Sequence, residues 1–363
     1  MAEVRVVATI DAVDPGAWDA CHRDPLEGHA YLRMVERAQL AGFEYRYILI
    51  EEAGRLVAAI PMFLTRYGLE TTLGDDGPPL LARVRRRFPA FLAPKLACIG
   101  SPCTENAPLG LGDDLETATR GAHVDRLLTA AQAVATRDGA GLIGIRDLAA
   151  ADRGQWCAPL ARHGFTEVPG LPTAWLPIDF PDVETYLAGL SRGVRRDMRR
   201  KLRAATSVRI ERRDDLSDVI DRVMALYAET LGRAGMRFET LTAAFFRNLP
   251  DHAFATLYWV GDDLLACNLL LRSGTTLLDK YFCMAATGRQ HALYYLSWFS
   301  NVRYCLGHGL TRYIVGQAAT AEKLRLGCRL KPNSMHFRHR QPLLDRALRL
   351  AAPMLTRALD EAA

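Results

Sequence analysis

"ATLYWVGDDLLACNLLLRSGTTLLDKYF", residues 255–282, is the stretch that decides the fold. It contains three runs rich in leucine and aromatic residues, separated by turn signals at Gly261-Asp262 and Ser273-Gly274. This pattern predicts a meander of antiparallel strands. A helical apolar pattern follows in "ALYYLSWFSNVRYCLGHG", and a further strand pattern follows in "GLTRYIVG".

The first half of the chain repeats the same order. "YRYILIEEAGRLVAAIPMFL", residues 45–64, predicts two strands joined at Ala53-Gly54, and apolar residues at helical spacing follow from Val124 to Ala135. A strand pattern, "GLIGIRD", then begins at Gly141. The repeated order predicts duplication of one module, and the mixture of antiparallel strands and helices predicts an α+β fold.

A proline-rich segment separates the two predicted modules. Four prolines between residues 169 and 181 interrupt regular structure there. The sequence therefore predicts a domain boundary near residue 180, with one domain over 1–179 and the other over 180–363.

Composition narrows the setting of the protein. The chain has 363 residues, 49% of them hydrophobic, and a net charge of +5, which permits an anionic partner without requiring one. "MAEVRVVATI" shows no secretory signal pattern, and there is no run of about 18 apolar residues, so we expect a cytoplasmic protein with no membrane span. The eight cysteines are scattered without a CxxC pair, which favours neither disulfides nor a metal site.

"SRGVRRDMRRKLRAA", residues 191–205, predicts an amphipathic helix with a strong positive charge. Seven cations, among them Arg195 and Arg199, cover its polar faces, and Asp197 is the single acid. Such a helix is either a solvated surface element or a binder of phosphates or of an RNA backbone. DNA reading is the weaker alternative, because no helix-turn-helix or zinc-finger pattern accompanies it. The predicted apolar stripe consists of Leu190, Val194, Met198, Leu202 and Ala205.

The order of several motifs resembles that of a known family. In the first half the resemblance rests on "DPLEGHAYLRMVERA", "GRLVAAIPMFLTRYG" and "PKLACIGSPCTENAPLGL". In the second half it rests on "YLAGLSRGVRRDMRRKLR", "FETLTAAFFRNLP" and "HGLTRYIVGQAATAEKLRLGCRLKPNSMHF". Together these motifs are similar to those of the N-acyltransferases of peptidogalycan biosynthesis or recognition, relatives of the FemAB ligases within the GNAT superfamily. The resemblance covers nearly the whole chain and implies two tandem GNAT-like domains, each a mixed, mostly antiparallel sheet flanked by helices.

One motif carries over individual residues. "GQAATAEKLRLG" resembles the family's stretch in which a glycine and a polar residue precede a lysine and then a glycine, so the resemblance points to Gly316, Gln317, Glu322, Lys323 and Gly327. For Lys323 it implies binding of a donor phosphate or an oxyanion, and for Gln317 orientation of an amide. The structural alternatives are a solvated lysine and a strand-end hydrogen bond. "CMAATGRQHALYY" departs from the family pattern, which favours a different substrate.

The donor site is expected at the helix that follows the central strand. In GNAT proteins the donor phosphates lie at the N-terminus of that helix, which here begins within 287–292, with Arg289 and Gln290 at its outer end. The alternative is an ordinary helix start capped by Thr287. At this helix start no further glycines follow Gly288 to let a pyrophosphate approach the backbone closely. Aminoacyl-tRNA held by the basic helix therefore remains an alternative donor to acyl-CoA.

The transfer needs a base for the amine and a group that stabilises the oxyanion. Glu105 in "CTENAPLG" and Asp279 in "LLDKYF" are the carboxylate candidates. His336 in "SMHFRHR" is a third candidate base, and His339 is predicted on the same face of the strand. The alternatives are a turn that satisfies its own backbone for Glu105 and a surface strand for the histidines.

These expectations combine into one function. We expect an N-acyltransferase that moves an acyl group from acyl-CoA to a primary amine of a small molecule or peptide. One alternative is a FemAB-type ligase that uses aminoacyl-tRNA, and another is a non-catalytic protein that binds nucleic acid or a cell-wall precursor. Four aromatic residues either line a channel for a longer acyl chain or belong to the core: Tyr294, Tyr295, Trp298 and Phe299.

Overall fold

The computed structural model describes residues 2–22, 27–66, 95–107, 109–204, 207–233 and 238–362. Residue 205 of the predicted basic helix lies outside them, as do residues 24–26, 67–68, 94 and 108 of the motifs quoted above. The chain folds into two compact units. The units comprise Met1–Leu171, Gly235–Thr240 and Pro332–Ala362 in the first, and Pro172–Ala234 and Leu241–Lys331 in the second.

The first unit is built on an eight-stranded sheet with the order β1-β2-β3-β4-β6-β15-β7, and β5 pairs with β3. β4 and β6 run parallel, and the other pairs are antiparallel. Apolar residues alternate with period two along several strands and with helical spacing in α3, so one core forms between them. The strands are β1 (Glu3–Val7), β2 (Glu44–Glu52), β3 (Arg55–Arg66), β4 (Lys95–Ile99), β5 (Gly110–Leu111), β6 (Leu142–Ala149), β7 (Thr166–Pro169) and β15 (Asn333–His339).

In the described part of this unit, five helices flank the sheet. The predicted apolar face of α3 is confirmed, because its residues from Val124 to Ala135 at helical spacing are buried against the sheet. The helices are α1 (Pro15–Cys21), α2 (His29–Arg37), α3 (Thr117–Arg137), α4 (Arg153–Arg162) and α11 (Pro342–Ala362).

The second unit is built on a seven-stranded sheet with the order β14-β8-β13-β12-β11-β10-β9. The predicted meander is confirmed as β10, β11 and β12, with Gly261 and Gly274 in the left-handed conformation that its tight turns require. β12 and β13 are parallel, and the other pairs are antiparallel. The strands are β8 (Thr173–Pro177), β9 (Val208–Arg213), β10 (Ala253–Val260), β11 (Asp263–Ser273), β12 (Thr276–Met284), β13 (Arg312–Gly316) and β14 (Arg329–Lys331).

Among the described residues, six helices accompany the second sheet, and the helix Leu293–Gly307 packs its apolar face into the core. Trp298, Phe299 and Val302 of α9 are buried with Tyr313 of β13. The helices are α5 (Val183–Gly189), α6 (Arg192–Ala204), α7 (Ile220–Gly232), α8 (Ala243–Arg247), α9 (Leu293–Gly307) and α10 (Thr320–Arg325). Over the described residues, no helix combines the length and the apolar character needed to cross a membrane.

The α+β fold class and the two similar sheets are as predicted, but the units divide the chain differently from 1–179 and 180–363. Strand β8 at Thr173–Pro177 pairs with β13 and β14 and so belongs to the second sheet. Strand β15 at Asn333–His339 lies between β6 and β7 in the first sheet. The prolines near residue 180 mark breaks in local structure, whereas membership of a sheet depends on pairing with strands far away in sequence.

Candidate functional site

The two parallel strands of the second sheet separate before they end. β12 and β13 pair only where Thr276 to Leu278 lie against Arg312 to Ile314. Beyond Leu278, β12 continues to Met284 paired with β11 and no longer with β13. Lys280 is an extra residue in β12, because Leu269 and Leu270 of β11 pair with Tyr281 and Asp279 on either side of it. Such a bulge bends a strand and re-aims its side chains. Space therefore opens at the carboxyl ends of β12 and β13.

A polar network fills the base of this opening. The Asp279 carboxylate accepts hydrogen bonds from the Tyr313 hydroxyl at 2.7 Å and from the Asn268 amide at 2.5 Å. Asn301 donates to the Tyr313 hydroxyl at 2.8 Å and to the Asn268 side-chain oxygen at 2.9 Å. Burial raises the pKa of Tyr313 well above its ordinary value, and the nearby Asp279 charge acts in the same direction. Tyr313 is therefore a neutral donor that holds Asp279 in place.

A cleft of about 530 Å³ lies at the end of β12, which contributes two of its lining residues. Cations reach it from three elements: Lys201 from the basic helix α6, Arg233 after α7, and Arg289 from the 3-10 turn Ala286–His291. Glu322 of α10 is the acid in its wall. Its remaining lining residues are Thr230, Phe282, Met284, Ala292, Leu293, Tyr294, Tyr295 and Ala319.

The cations of the cleft are held by neighbouring groups. Lys201 donates to Asp197 at 2.9 Å and lies 3.4 Å from the ring centroid of Tyr295. Burial alone would lower the pKa of Lys201, but its hydrogen bonds to Asp197 and Tyr295 raise it above the ordinary value. Arg233 donates to the Met284 carbonyl at the end of β12. Lys201 therefore stays charged, and both side chains are held in position beside the cleft.

The helix start beside the cleft differs from the predicted one. α9 begins at Leu293 and follows a 3-10 turn, so Thr287 is not its cap. The cap is Ala292, which has a φ of +51° and no side-chain hydrogen bond to the helix. A left-handed alanine costs about 1 to 3 kcal/mol and is found mainly where the surroundings enforce it. Arg289 lines the cleft, whereas Gln290 is exposed and does not.

The carried-over motif lies at the end of β13. Gly316 is buried and has a φ of +74°, which favours glycine at this position. Lys323 is buried and donates to the Val315 carbonyl, and Glu322, not Lys323, lines the cleft. Burial raises the pKa of the Cys328 thiol to about 12, although the Lys323 charge acts in the opposite direction. Gln317 is half-buried, and its carbonyl accepts from the Thr320 hydroxyl.

The basic helix has the predicted amphipathic form. Met198 is fully buried in the second core, and Leu190, Val194 and Leu202 pack against it. Asp197 is not the only acid that offsets its charge, because Glu184 of α5 pairs with Arg199 at 2.6 Å.

The other cations of this helix differ in how they are engaged. Arg195 donates to the Ala188 carbonyl at 2.9 Å. Arg192, Arg196 and Arg203 are exposed, and within the described part of the chain they form no ion pair. These three side chains remain available to an anion.

Two of the four catalytic candidates lie in the first unit. The Glu105 backbone N–H donates to both carboxylate oxygens of Glu27, at 2.8 and 3.0 Å. His336 is buried and lies 3.1 Å from the Ser334 hydroxyl. The expectation that His336 and His339 share a face is wrong, because successive residues of a regularly paired strand point to opposite faces and these two are three apart.

A small cluster surrounds His336. Side-chain atoms of Cys157, Glu167 and His336 lie within 4.8 Å of one another, and Glu167 also pairs with Arg153 at 2.6 Å. Burial lowers the pKa of His336 below its ordinary value of 6.5, the Glu167 charge acts to raise it, and the Arg153 charge acts to lower it. The imidazole is therefore neutral in the folded protein at neutral pH.

This lowered pKa predicts how stability depends on pH. As the pH falls below 6.5, the unfolded chain takes up the His336 proton before the folded chain does, so the free energy of unfolding should fall until the pH passes the folded pKa. We expect His336→Gln to show a smaller loss between pH 7 and pH 5 in urea unfolding. His308→Gln, at an exposed position, is the control. Equal pH dependence in the wild type and in His336→Gln would contradict this.

Comparisons with known proteins agree with this architecture. The chain is similar in structure to FemX, with a TM-score of 0.59 at 15% identity over 92% of this chain and 96% of that one. It is similar to the C-terminal domain of a predicted lysylphosphatidylglycerol synthetase from Agrobacterium fabrum, with a TM-score of 0.58 at 12% identity over 95% and 96%. It is also similar to a tandem GNAT protein from the clavulanic acid biosynthesis pathway, with a TM-score of 0.54 at 16% identity over 94% and 99%. A comparison with curated protein sequences finds no match.

The two described sheets, each with a parallel strand pair, and the likeness to these neighbours show a tandem GNAT-like fold. The model of the FemAB-like family, described as peptidogalycan biosynthesis/recognition, matches residues 9–350. The chain therefore belongs to the FemAB-like family.

Proposed function

We propose that the second unit transfers an acyl group from acyl-CoA to a primary amine of a small molecule or peptide. The cleft above the separated strands carries this proposal. Lys201, Arg233 and Arg289 come from three different elements and offer the charge-assisted donors that phosphate groups require. The apolar wall suits the uncharged part of such a donor, and its members include Phe282, Met284 and Leu293.

The chemistry needs positioning and charge stabilisation more than it needs a covalent intermediate. A thioester is already activated, so the amine attacks its carbonyl carbon once it has lost a proton and is held close. In this proposal Gln317 beside Gly316 orients the reacting carbonyl, and Lys323, fixed by the Val315 carbonyl, is a positioning residue that holds the end of β13. Asp279 acts as a positioning residue, because its carboxylate binds the groups that line the base of the opening.

The other predicted site residues keep more peripheral proposed roles. Gln290, Arg195 and Arg199 are proposed to contact the outer part of a large donor, because they lie on the turn and on the helix that border the cleft. Glu105 and His336 belong to the first unit, and their acid/base roles remain predictions for that unit.

Aminoacyl-tRNA is the second candidate donor. Arg192, Arg196 and Arg203 offer exposed charge on one helix beyond what CoA phosphates need, and such charge suits an RNA backbone. The reaction would then form a peptide bond from an aminoacyl ester. A non-catalytic binder of nucleic acid or of a cell-wall precursor is the candidate from another class.

A thermal-shift panel distinguishes these candidates. We expect acetyl-CoA and a longer acyl-CoA to stabilise the protein saturably, by about 2.7 kcal/mol at a concentration of a hundred times Kd. Bulk tRNA should give no saturable shift at physiological salt if acyl-CoA is the donor. A response to tRNA alone that weakens as salt rises would favour the aminoacyl-tRNA candidate. A response only to generic polyanions such as heparin would contradict both enzyme proposals.

A further inference from the structure

Two polar atoms in the wall of the cleft lack partners. Oε1 of Glu322 and the hydroxyl of Tyr294 are shielded from solvent, and neither forms a hydrogen bond with any residue that the structure describes. Both residues line the cleft. Buried polar atoms are nearly always hydrogen-bonded in folded proteins, so an unpartnered acceptor and an unpartnered hydroxyl among the lining residues of one cleft indicate a ligand.

The carboxylate of Glu322 is fixed by its other oxygen. Oε2 accepts a hydrogen bond from Arg325 at 2.5 Å, one turn along α10. An ionised carboxylate has about four acceptor positions and no donor, so Oε1 still needs a proton donor. The Arg325 ion pair therefore orients Glu322 without satisfying it.

The hydroxyl of Tyr294 is fixed by ring contacts. Its ring meets Phe282 edge-on at 5.8 Å and Tyr295 at 5.4 Å. Burial raises the pKa of Tyr294 well above its ordinary value, and the charges of Asp279, Cys328 and Glu322 act in the same direction. The hydroxyl therefore stays neutral, and it can both accept and donate.

A primary ammonium matches these two atoms. It carries three N–H donors and a positive charge, whereas a phosphate or carboxylate would be repelled by Glu322. The aromatic wall favours a cation as well. Of the nearby cations, Lys201 is paired with Asp197 and Arg325 with Glu322 Oε2, so neither supplies the missing donor to Oε1.

We propose that Glu322 Oε1 and the Tyr294 hydroxyl form a binding subsite for a primary ammonium group. The proposal rests on the transferase function proposed above. When the ammonium belongs to the acceptor, Glu322 takes one proton from it. The freed amine then forms the C–N bond as the C–S bond of the thioester breaks, and the leaving thiolate takes the second proton from the nitrogen. When the ammonium is the α-amino group of an aminoacyl donor, the subsite only binds it.

Binding of simple probes tests the subsite without the unidentified acceptor. In calorimetric titrations at constant ionic strength, we expect n-butylammonium to bind saturably and n-butanol not to bind. Glu322→Gln should weaken n-butylammonium binding at least about tenfold and Tyr294→Phe several-fold, because a charge-assisted hydrogen bond is lost in the first and a neutral one in the second. Glu184→Gln removes an exposed carboxylate of the same unit that is also paired with an arginine but does not line the cleft, so this variant should bind within about twofold of the wild type.

The outcomes separate the two sources of the ammonium. Binding of alanine methyl ester but not of n-butylammonium, dependent on Glu322, would assign the subsite to an aminoacyl donor, and the reverse would assign it to the acceptor. Saturable binding of neither probe, or equal binding by Glu322→Gln, would overturn the proposal. Glu322→Gln should still bind CoA. CoA binding by the Arg233 and Arg289 variants tests the proposed donor site and leaves the ammonium subsite unaffected.

Discussion

Replacing Arg233 and Arg289 together by glutamine should weaken CoA binding about 100-fold or more. A hydrogen bond from a charged group contributes about 1.5 to 3 kcal/mol, so loss of two such contacts to phosphate should remove about 3 kcal/mol of binding free energy even with partial exposure. Isothermal titration with CoA measures the effect. The dependence of Kd on salt should also become shallower, because fewer phosphate charges are neutralised by the protein.

A matched pair of substitutions tests whether net charge alone explains this loss. Arg247 and Arg303 are exposed residues of the same unit that do not line the cleft, and Arg247→Gln with Arg303→Gln removes the same charge. We expect this control to bind CoA like the wild type. Equal weakening in both double variants would show that the cleft is not the phosphate site.

Asp279→Ala should lower the free energy of unfolding by about 3 kcal/mol. The substitution removes the acceptor of two buried hydrogen bonds, and the loss of each such bond costs about 1 to 3 kcal/mol. The donors of these bonds are the Tyr313 hydroxyl and the Asn268 amide. Asp279→Asn preserves the volume and one acceptor oxygen, so its loss should be smaller. Urea unfolding followed by intrinsic fluorescence measures both.

Exposed Asp251 supplies the comparison for Asp279. Asp251 lies in the same unit, and Asp251→Ala should change the free energy of unfolding by no more than about 0.5 kcal/mol. If Asp279→Ala were as stable as this control, the network at the base of the opening would not support the separated strands.

Local patterns in the sequence predicted the elements well. The meander over 255–282 and the apolar stripe that buries Met198 both follow from side-chain periodicity, which is visible within a single element. The exchange of Thr173–Pro177 and Asn333–His339 between the predicted domains was missed, because no local pattern identifies a strand's distant partner.

The cleft was predicted only in part. Arg289 was found from the expected helix start, and Glu322 from the resemblance of its motif. Arg233 was missed because it directly follows an ordinary helix, and only the packing of that helix brings its side chain to Met284. In the sequence, Arg233 stands out only by its spacing of four residues from Glu229, which indicates an ion pair on a helix. Such pairs are common on helix surfaces and do not identify a site.

Aromatic residues show the same limit of sequence reasoning. Trp298 and Phe299 belong to the core, whereas Tyr294 and Tyr295 line the cleft. All four lie within six residues of one helix, so their spacing could not assign each of them to its side. The hydroxyl groups of the two tyrosines were the better guide, because a buried hydroxyl needs a partner.

The interior position of Asn333–His339 has a consequence for synthesis on the ribosome. Domains usually fold in the order in which they emerge, beginning at the N-terminus. Here the first sheet lacks the strand between β6 and β7 until residue 339 has been translated, while both segments of the second unit, Pro172–Ala234 and Leu241–Lys331, are already complete. The nascent polypeptide should therefore finish its later half first, and β6 and β7 should wait with unpaired edges until their partner arrives.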